Sequence, residues 1–209
     1  MVLCARGQEG KREKVGEMID SETAELRVLD AAESLFYARG IQAVGMDEIR
    51  TASGVSLKRL YRLHPSKADL VEAYLRRRDV RWRRSLAAYV DARTDPQERI
   101  LAVFDWLHDW FAEPDFRGCA FVNSFGELGA TESAVAEAAR AHKEEFFRYL
   151  ADLATAADAP TPLADHLALL AEGAMTTAAI IGSPEPAHQA RDAARLLLDA
   201  TANGDARSA

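Results

Sequence analysis

Cysteine, proline and long apolar runs are all scarce in this chain. It has two cysteines in 209 residues, Cys4 and Cys119. Cys4 stands in a polar stretch, which argues against a structural disulfide and for a reducing, cytoplasmic setting. The most apolar stretch, Leu163 to Ile181, is interrupted by Asp165, His166 and Glu172, which excludes it as a membrane span. Residues 1–20 lack the apolar core of a secretory signal. No segment alternates apolar and polar residues in the manner of a strand, so an all-α fold is expected. There is no glycine-rich phosphate loop, nucleophile elbow or kinase motif set. Asp105, His108 and Asp109 share a helix at spacings compatible with a metal, but no cysteine or further histidine stands near them in sequence. The expectation is therefore a non-enzyme without metal or other cofactor. An all-helical small-molecule or metal-dependent enzyme is the alternative from another class.

What is present is ordinary globular material, 48% hydrophobic and 28% charged. The net charge of −7 argues by itself against a nucleic-acid partner, but it hides a division. Residues 1–93 hold 18 Lys and Arg against 14 Asp and Glu, whereas residues 94–209 hold 8 against 19. A basic front on an acidic back is the asymmetry expected if only the front meets phosphate.

Residues 1–22 lack helical periodicity and read as a flexible tail, with Met18 as an alternative start. Beyond it the pattern predicts about nine helices. The first runs from Thr23 to Arg39, with an apolar stripe of Leu26, Leu29, Ala32, Leu35 and Phe36 and a stop at Gly40. Short helices over Met46–Ser53 and Leu57–Leu63 flank a turn at Gly54. Pro65 ends the third, and Ser66 caps a fourth reaching Asp91. The remaining predicted helices cover Pro96–Phe111, Gly118–Leu128, Glu132–Ala156, Pro162–Ile181 and a last one to about Ala202. The domains follow as tail 1–22, head 23–66 and regulatory domain 67–209.

The stretch from Asp47 to Lys67 is the most informative. Ile49, Ser53, Val55, Leu60 and Leu63 are spaced to lock two short helices at a steep angle about Gly54, as in a helix-turn-helix. The second helix then offers Ser56, Lys58, Arg59 and Arg62 on its other face. The three cations stand three or four residues apart, so they share one side and can reach guanine edges or phosphates. A short core helix with a solvated polar face gives the same pattern.

The run Arg27-Val-Leu-Asp-Ala-Ala-Glu-Ser-Leu-Phe, Gly40, Met46-Asp-Glu-Ile, Ser53-Gly-Val-Ser, Leu60-Tyr61 and Pro65-Ser-Lys67 resembles the N-terminal domain of TetR-type regulators over about residues 27–75. The resemblance implies an all-helical dimer, a three-helix DNA-binding head and a larger domain that binds a small effector. It implies that Tyr61 and Lys67 grip the phosphate backbone of double-stranded operator DNA. It implies a repressor released from its operator by that effector; a constitutive DNA-binding protein of the same fold is the nearer alternative. Arg50 stands where the family commonly has Ala, so its side chain is expected to snorkel outward, toward DNA. Tyr61-Arg-Leu-His64 replaces a common Tyr-x-His-Phe, so the aromatic that packs on the core is displaced or absent.

In the back half, six arginines between Arg76 and Arg84 read as a solvated face paired with the acidic domain. Aromatics gather in the fifth to seventh helices. Trp110, Phe121 and Phe125 are the candidates for an effector cavity, with Asn123 and His142 as polar anchors. The effector is expected to be apolar or amphipathic. Cys119 reads as an inert core thiol; a sensing role would need its pKa lowered by the adjacent helix N-terminus or Arg117. Leu163, Leu167, Leu170, Ala174, Ala178 and Ile181, with Ala187, Ala190, Ala194, Leu197 and Thr201, predict a homodimer through the eighth and ninth helices.

Overall fold

The structure is a computed structural model and describes residues 20–205, with side chains to residue 201. Among the described residues it is all-helical: α1 (Ser21–Arg39), α2 (Met46–Ser53), α3 (Leu57–Leu63), α4 (Lys67–Val90), α5 (Pro96–Phe111), α6 (Ala120–Leu128), α7 (Ser133–Ala156), α8 (Pro162–Ile181) and α9 (Glu185–Asp205). Cys4 and Met18 lie outside the described residues.

Local chemistry sets the helix ends. The Asp20 carboxylate accepts the Thr23 amide at 2.7 Å, so α1 begins two residues earlier than the periodicity predicted and takes in the end of the expected tail. Ser56 and Ser66 cap α3 and α4, and Asp69 closes the second box by accepting from Ser66 N at 2.9 Å. Asp95 caps α5 ahead of Pro96. Gly54 takes the left-handed turn between α2 and α3, at φ 67°. α6 starts two residues later than expected, because Gly118 has φ 83°, outside the helical region, and Cys119 is the residue before the first turn.

The core runs without a break from the head into the back half. Ile49, Ser53, Val55 and Leu60 are buried, as the helix-turn-helix pattern requires. On α1 the buried face is Val28, Leu29, Ala32 and Phe36, while Leu26, expected in that stripe, is exposed. His64 is itself buried at the end of α3, its Nε2 3.1 Å from Glu25 on α1, so an imidazole takes the place of the missing aromatic. Behind the head, α4 packs on α1, α5 and α7, and α8 and α9 pack on each other and on α5. No described helix is long and apolar enough to cross a membrane.

The α4 arginines have partners other than those expected. Arg77 pairs with Asp30 and Glu33, and Arg78 and Arg81 also reach Glu33, at 3.1 and 2.9 Å. These acids lie on α1. The cluster therefore rivets α4 to the head instead of to the acidic half, and only Arg83 reaches α7, loosely, at Glu145.

Candidate DNA-binding site and regulatory core

The outward face of α3 carries Ser56, Lys58, Tyr61 and Arg62, all exposed, with Arg59 half-buried; Lys67 opens α4 beside them. Leu60 anchors the opposite face of α3, so these side chains point away from the head. Among the described residues, Lys58, Arg59, Arg62 and Lys67 form no ion pair. Of the six arginines next along the chain, Arg76, Arg77, Arg78, Arg81 and Arg83 are held by carboxylates, and Arg84 forms no ion pair among the described residues. Arg50 projects outward but is held by Asp47 at 2.7 Å. Four unpaired cations thus stand together where a phosphate backbone would approach a helix-turn-helix.

The expected cavity residues divide into two groups. Trp110, Phe121 and His142 are buried together around Trp82, which the residue pattern had not singled out. Trp82 lies edge-on to Trp106, Trp110, His142 and Phe146, at 5.0–5.9 Å between ring centres. Phe121 stacks flat on His142 at 3.8 Å. Asn123 and Phe125 do not join this cluster. Asn123 is exposed and donates to Arg117 O at 2.9 Å, and Phe125 is 54% exposed. The rings fill the cluster themselves. The open volume nearby, about 470 Å³, is a groove between α4 and α7 on the far side of Trp82 and Phe146.

His142 is already engaged. Its Nδ1 meets Asp79 at 2.7 Å, and Asp79 also accepts from Arg83. Burial disfavours a charged imidazole, but the bonds to Asp79 and Cys119 outweigh it and hold the pKa above the ordinary value. Burial likewise pushes the Cys119 thiol up, and the bond to His142 with the charge of Lys143 brings it below the ordinary value. Lys143 Nζ lies 3.4 Å from Cys119 Sγ and 2.6 Å from Glu172 Oε1. The neighbours that act on the thiol are therefore His142 and Lys143, which are 23 and 24 positions away in sequence; Arg117 instead turns back to Phe116 O.

Besides α4, α6 connects this core to the head. At the start of α6, Gly118 O accepts from Tyr37 Oη at 2.9 Å, and Tyr37 Oη accepts from Arg117 N at 2.8 Å. At its end, the Glu127 carboxylate accepts the amides of Ile41 and Gln42 at 3.1 and 2.9 Å. Nothing in the local residue pattern marks Glu127, because its partners lie 85 and 86 positions away. Of the three residues spaced for a metal, Asp105 pairs with Arg191 at 2.6 Å, and His108 stacks on His188 with its Nδ1 3.5 Å from Asp109.

Comparison with known proteins agrees with this architecture. Residues 28–74 match the family model described as bacterial regulatory proteins, tetR family, and residues 96–194 match a tetracyclin repressor-like C-terminal domain. A crystal structure of a TetR-family transcriptional regulator from Streptomyces coelicolor superposes with a TM-score of 0.79 and 29% identity, over 86% of this chain and 96% of that one. An HTH-type transcriptional regulator of Mycobacterium tuberculosis H37Rv is 40% identical over 81 residues, 39% of this chain and 40% of the relative. The HTH-type transcriptional activator FasR of Mycolicibacterium smegmatis is 35% identical over 92 residues, 44% of this chain and 42% of the relative. The matched stretch thus spans about two fifths of these curated relatives. With both family models in chain order, and a head and core built as described, the chain belongs to the TetR family of bacterial helix-turn-helix transcriptional regulators.

Proposed function

We propose that this protein is a cytoplasmic, homodimeric repressor that holds a palindromic operator and releases it when a small apolar or amphipathic effector binds. The observation that carries the reading is the set of uncommitted cations on α3 and at the start of α4, beside a core joined to the head through α6. Lys58 and Arg59 are assigned to base edges, with Ser56 and Arg62 beside them, and Tyr61 and Lys67 to phosphate. A dimer would set two such heads in successive major grooves, about 34–36 Å apart.

The dimer is assigned to α8 and α9. Most of the expected stripe, Leu163, Leu167, Ala174 and Ala178 with Ala187 and Ala194, is buried within the protomer, whereas the outer faces leave Leu169, Ile180, Ile181 and Leu196 more than half exposed. Leu169, Leu170, Leu196 and Leu197 line one shallow apolar depression that spans the two helices. A patch of this kind marks an interface, and closed two-fold symmetry is its usual form. An effector acts only if it binds the DNA-incompetent state better than the competent one. The test is a gel-shift on the DNA upstream of the chain's own gene, with and without candidate effectors. Failure to bind that DNA more tightly than scrambled DNA would count against the reading.

The filled Trp82 cluster favours one second reading, a constitutive DNA-binding protein of the same fold. Thermal shift against a metabolite library separates the two, since a gated regulator must be stabilised by some ligand.

A further inference from the structure

We propose that the groove between α4 and α7 is a binding site for an aromatic carboxylic acid bearing an oxygen at its far end. The acid group would sit at Arg84 and Arg148, the ring system against Trp82, Leu86 and Phe146, and the distal oxygen at Tyr149. The proposal deepens the ligand-released reading and rests on it only for the effect on DNA.

Size, charge and one buried hydroxyl point the same way. The groove holds about 470 Å³, within the range of sites that bury a small organic molecule. Its walls are mixed: an apolar floor of Trp82, Leu86 and Phe146 under a charged rim. Three arginines stand on the rim, Arg83, Arg84 and Arg148, against two carboxylates, Glu145 and Asp152. The arginines differ in availability. Arg83 is committed to Asp79, which accepts from its Nε and Nη2 at 2.9 and 2.7 Å. Arg148 is exposed and shares Glu145 at 2.8 Å. Arg84 is exposed and has no carboxylate partner among the described residues. An arriving anion therefore finds one free guanidinium and one held only by a solvent-exposed pair, the weak kind.

Tyr149 supplies the second anchor. Its hydroxyl oxygen is buried and has no hydrogen-bond partner among the described residues. Buried hydroxyls are normally bonded, so an acceptor from outside the chain belongs there. Burial, with Asp91 nearby, pushes the phenol pKa up to about 12, so the group remains a donor at neutral pH. Asp79 faces His142, Arg83 faces Glu145, and Tyr149 feels Asp91, so the two helices run side by side in one direction. Tyr149 accordingly lies further along the groove than Arg84, and Arg148, its neighbour in sequence, reaches back from it toward Glu145, opposite Arg83, so the acid-binding end and the hydroxyl are apart. An occupant would press on Trp82, whose other contacts are His142 and Trp110. Phe121 of α6 stacks on that same His142, and Glu127 of α6 holds the head.

The experiment is calorimetric titration of the full chain with three probes: 6-hydroxy-2-naphthoate, 2-naphthoate and 2-naphthol. The hydroxy acid is expected to bind one site per chain, about tenfold tighter than naphthol and a few-fold tighter than naphthoate. Replacing Arg84 and Arg148 together by Gln should abolish the advantage over naphthol. Tyr149→Phe should abolish the advantage over naphthoate. The arginines are exposed, so the double variant should melt like the parent, and the naphthol titration checks that the groove survives. Naphthol binding as tightly as the hydroxy acid, binding indifferent to the arginines, or no binding of any probe would overturn the site. Anisotropy on upstream DNA separates this from the gating reading. Groove binding that leaves DNA affinity unchanged overturns gating and keeps the site. DNA release by the hydroxy acid that persists unchanged in the groove variants overturns the site and keeps gating.

Discussion

The carboxylate of Glu127 covers Gly40: a β-carbon on that glycine would stand 3.0 Å from Glu127 Oε1. The glycine itself has φ 87° and ψ 152°, a region essentially closed to L side chains. α6 therefore rests on the α1–α2 connection at a point where only glycine fits, and the two amides beyond it are satisfied from a helix more than eighty residues away in sequence. Glu127→Ala leaves those amides without their acceptor. Amide hydrogen exchange at Ile41 and Gln42 should speed up at least tenfold, since a bond to a charged acceptor contributes about 1.5–3 kcal/mol. Exchange elsewhere in α1 should be unchanged. Unaltered protection at both amides would mean that the clamp does not hold the head.

The readers and anchors on DNA should separate by mutation. Arg59→Ala should cost about 1–3 kcal/mol on the operator and relax preference at one base position. Lys67→Ala should weaken operator and scrambled DNA alike and reduce the salt slope by about one unit per contact, twice over in a dimer. Fluorescence anisotropy across a salt series measures both. A change of sequence preference in Lys67→Ala, with none in Arg59→Ala, would reverse the assignment.

The His142–Asp79 pair predicts a pH dependence. His142 is raised on folding, so its stabilisation is complete below the unfolded value of about 6.5 and is lost as pH climbs through the folded one. For Asp79, burial raises the pKa, but the bonds from His142 and Arg83 lower it on balance. Its stabilisation is present above the unfolded value of about 3.9 and is lost as pH falls through the folded one. Between those limits both contributions stand. The melting temperature lost in His142→Gln should be largest near pH 5–6 and should shrink on the alkaline side. An equal loss at pH 5 and pH 9 would show that His142 carries no charge in the native state.

Assembly is tested at Leu196, which is 71% exposed on α9. Leu196→Glu places a charge on the apolar face proposed for the dimer. Light scattering at micromolar concentration should change from a dimer to a monomer mass, with helical content retained. A monomeric parent chain would refute the proposed dimer outright.

Some of this was legible from single residues. The Ser56 and Ser66 caps and the Gly54 turn act within three or four residues, so α2, α3 and the start of α4 fall where the residue pattern put them. The outward face of α3 followed too, because helical spacing alone sets Lys58, Arg59 and Arg62 away from the buried side of Leu60. The arginine partners did not follow. Glu33 meets Arg78 and Arg81 across 45 and 48 residues, and composition cannot say which acid a cation will find.

The regulatory core shows where the division falls. Phe121 and Phe125 stand four apart, on one expected face of α6, yet Phe121 is buried against His142 while Phe125 is exposed. α6 is only nine residues long. Its first turn packs into the Trp82 cluster and its last turn reaches the head through Glu127, so the two ends of one stripe have different surroundings. The sequence by itself determined the helices, their order and the face that α3 turns outward, because short-range hydrogen bonds and periodicity decide those. Only the tertiary structure decided that His142 is engaged by Asp79 and Cys119, that α6 bridges core and head, and that the open groove lies behind Trp82. Those relations join residues more than twenty positions apart, and packing alone brings them together.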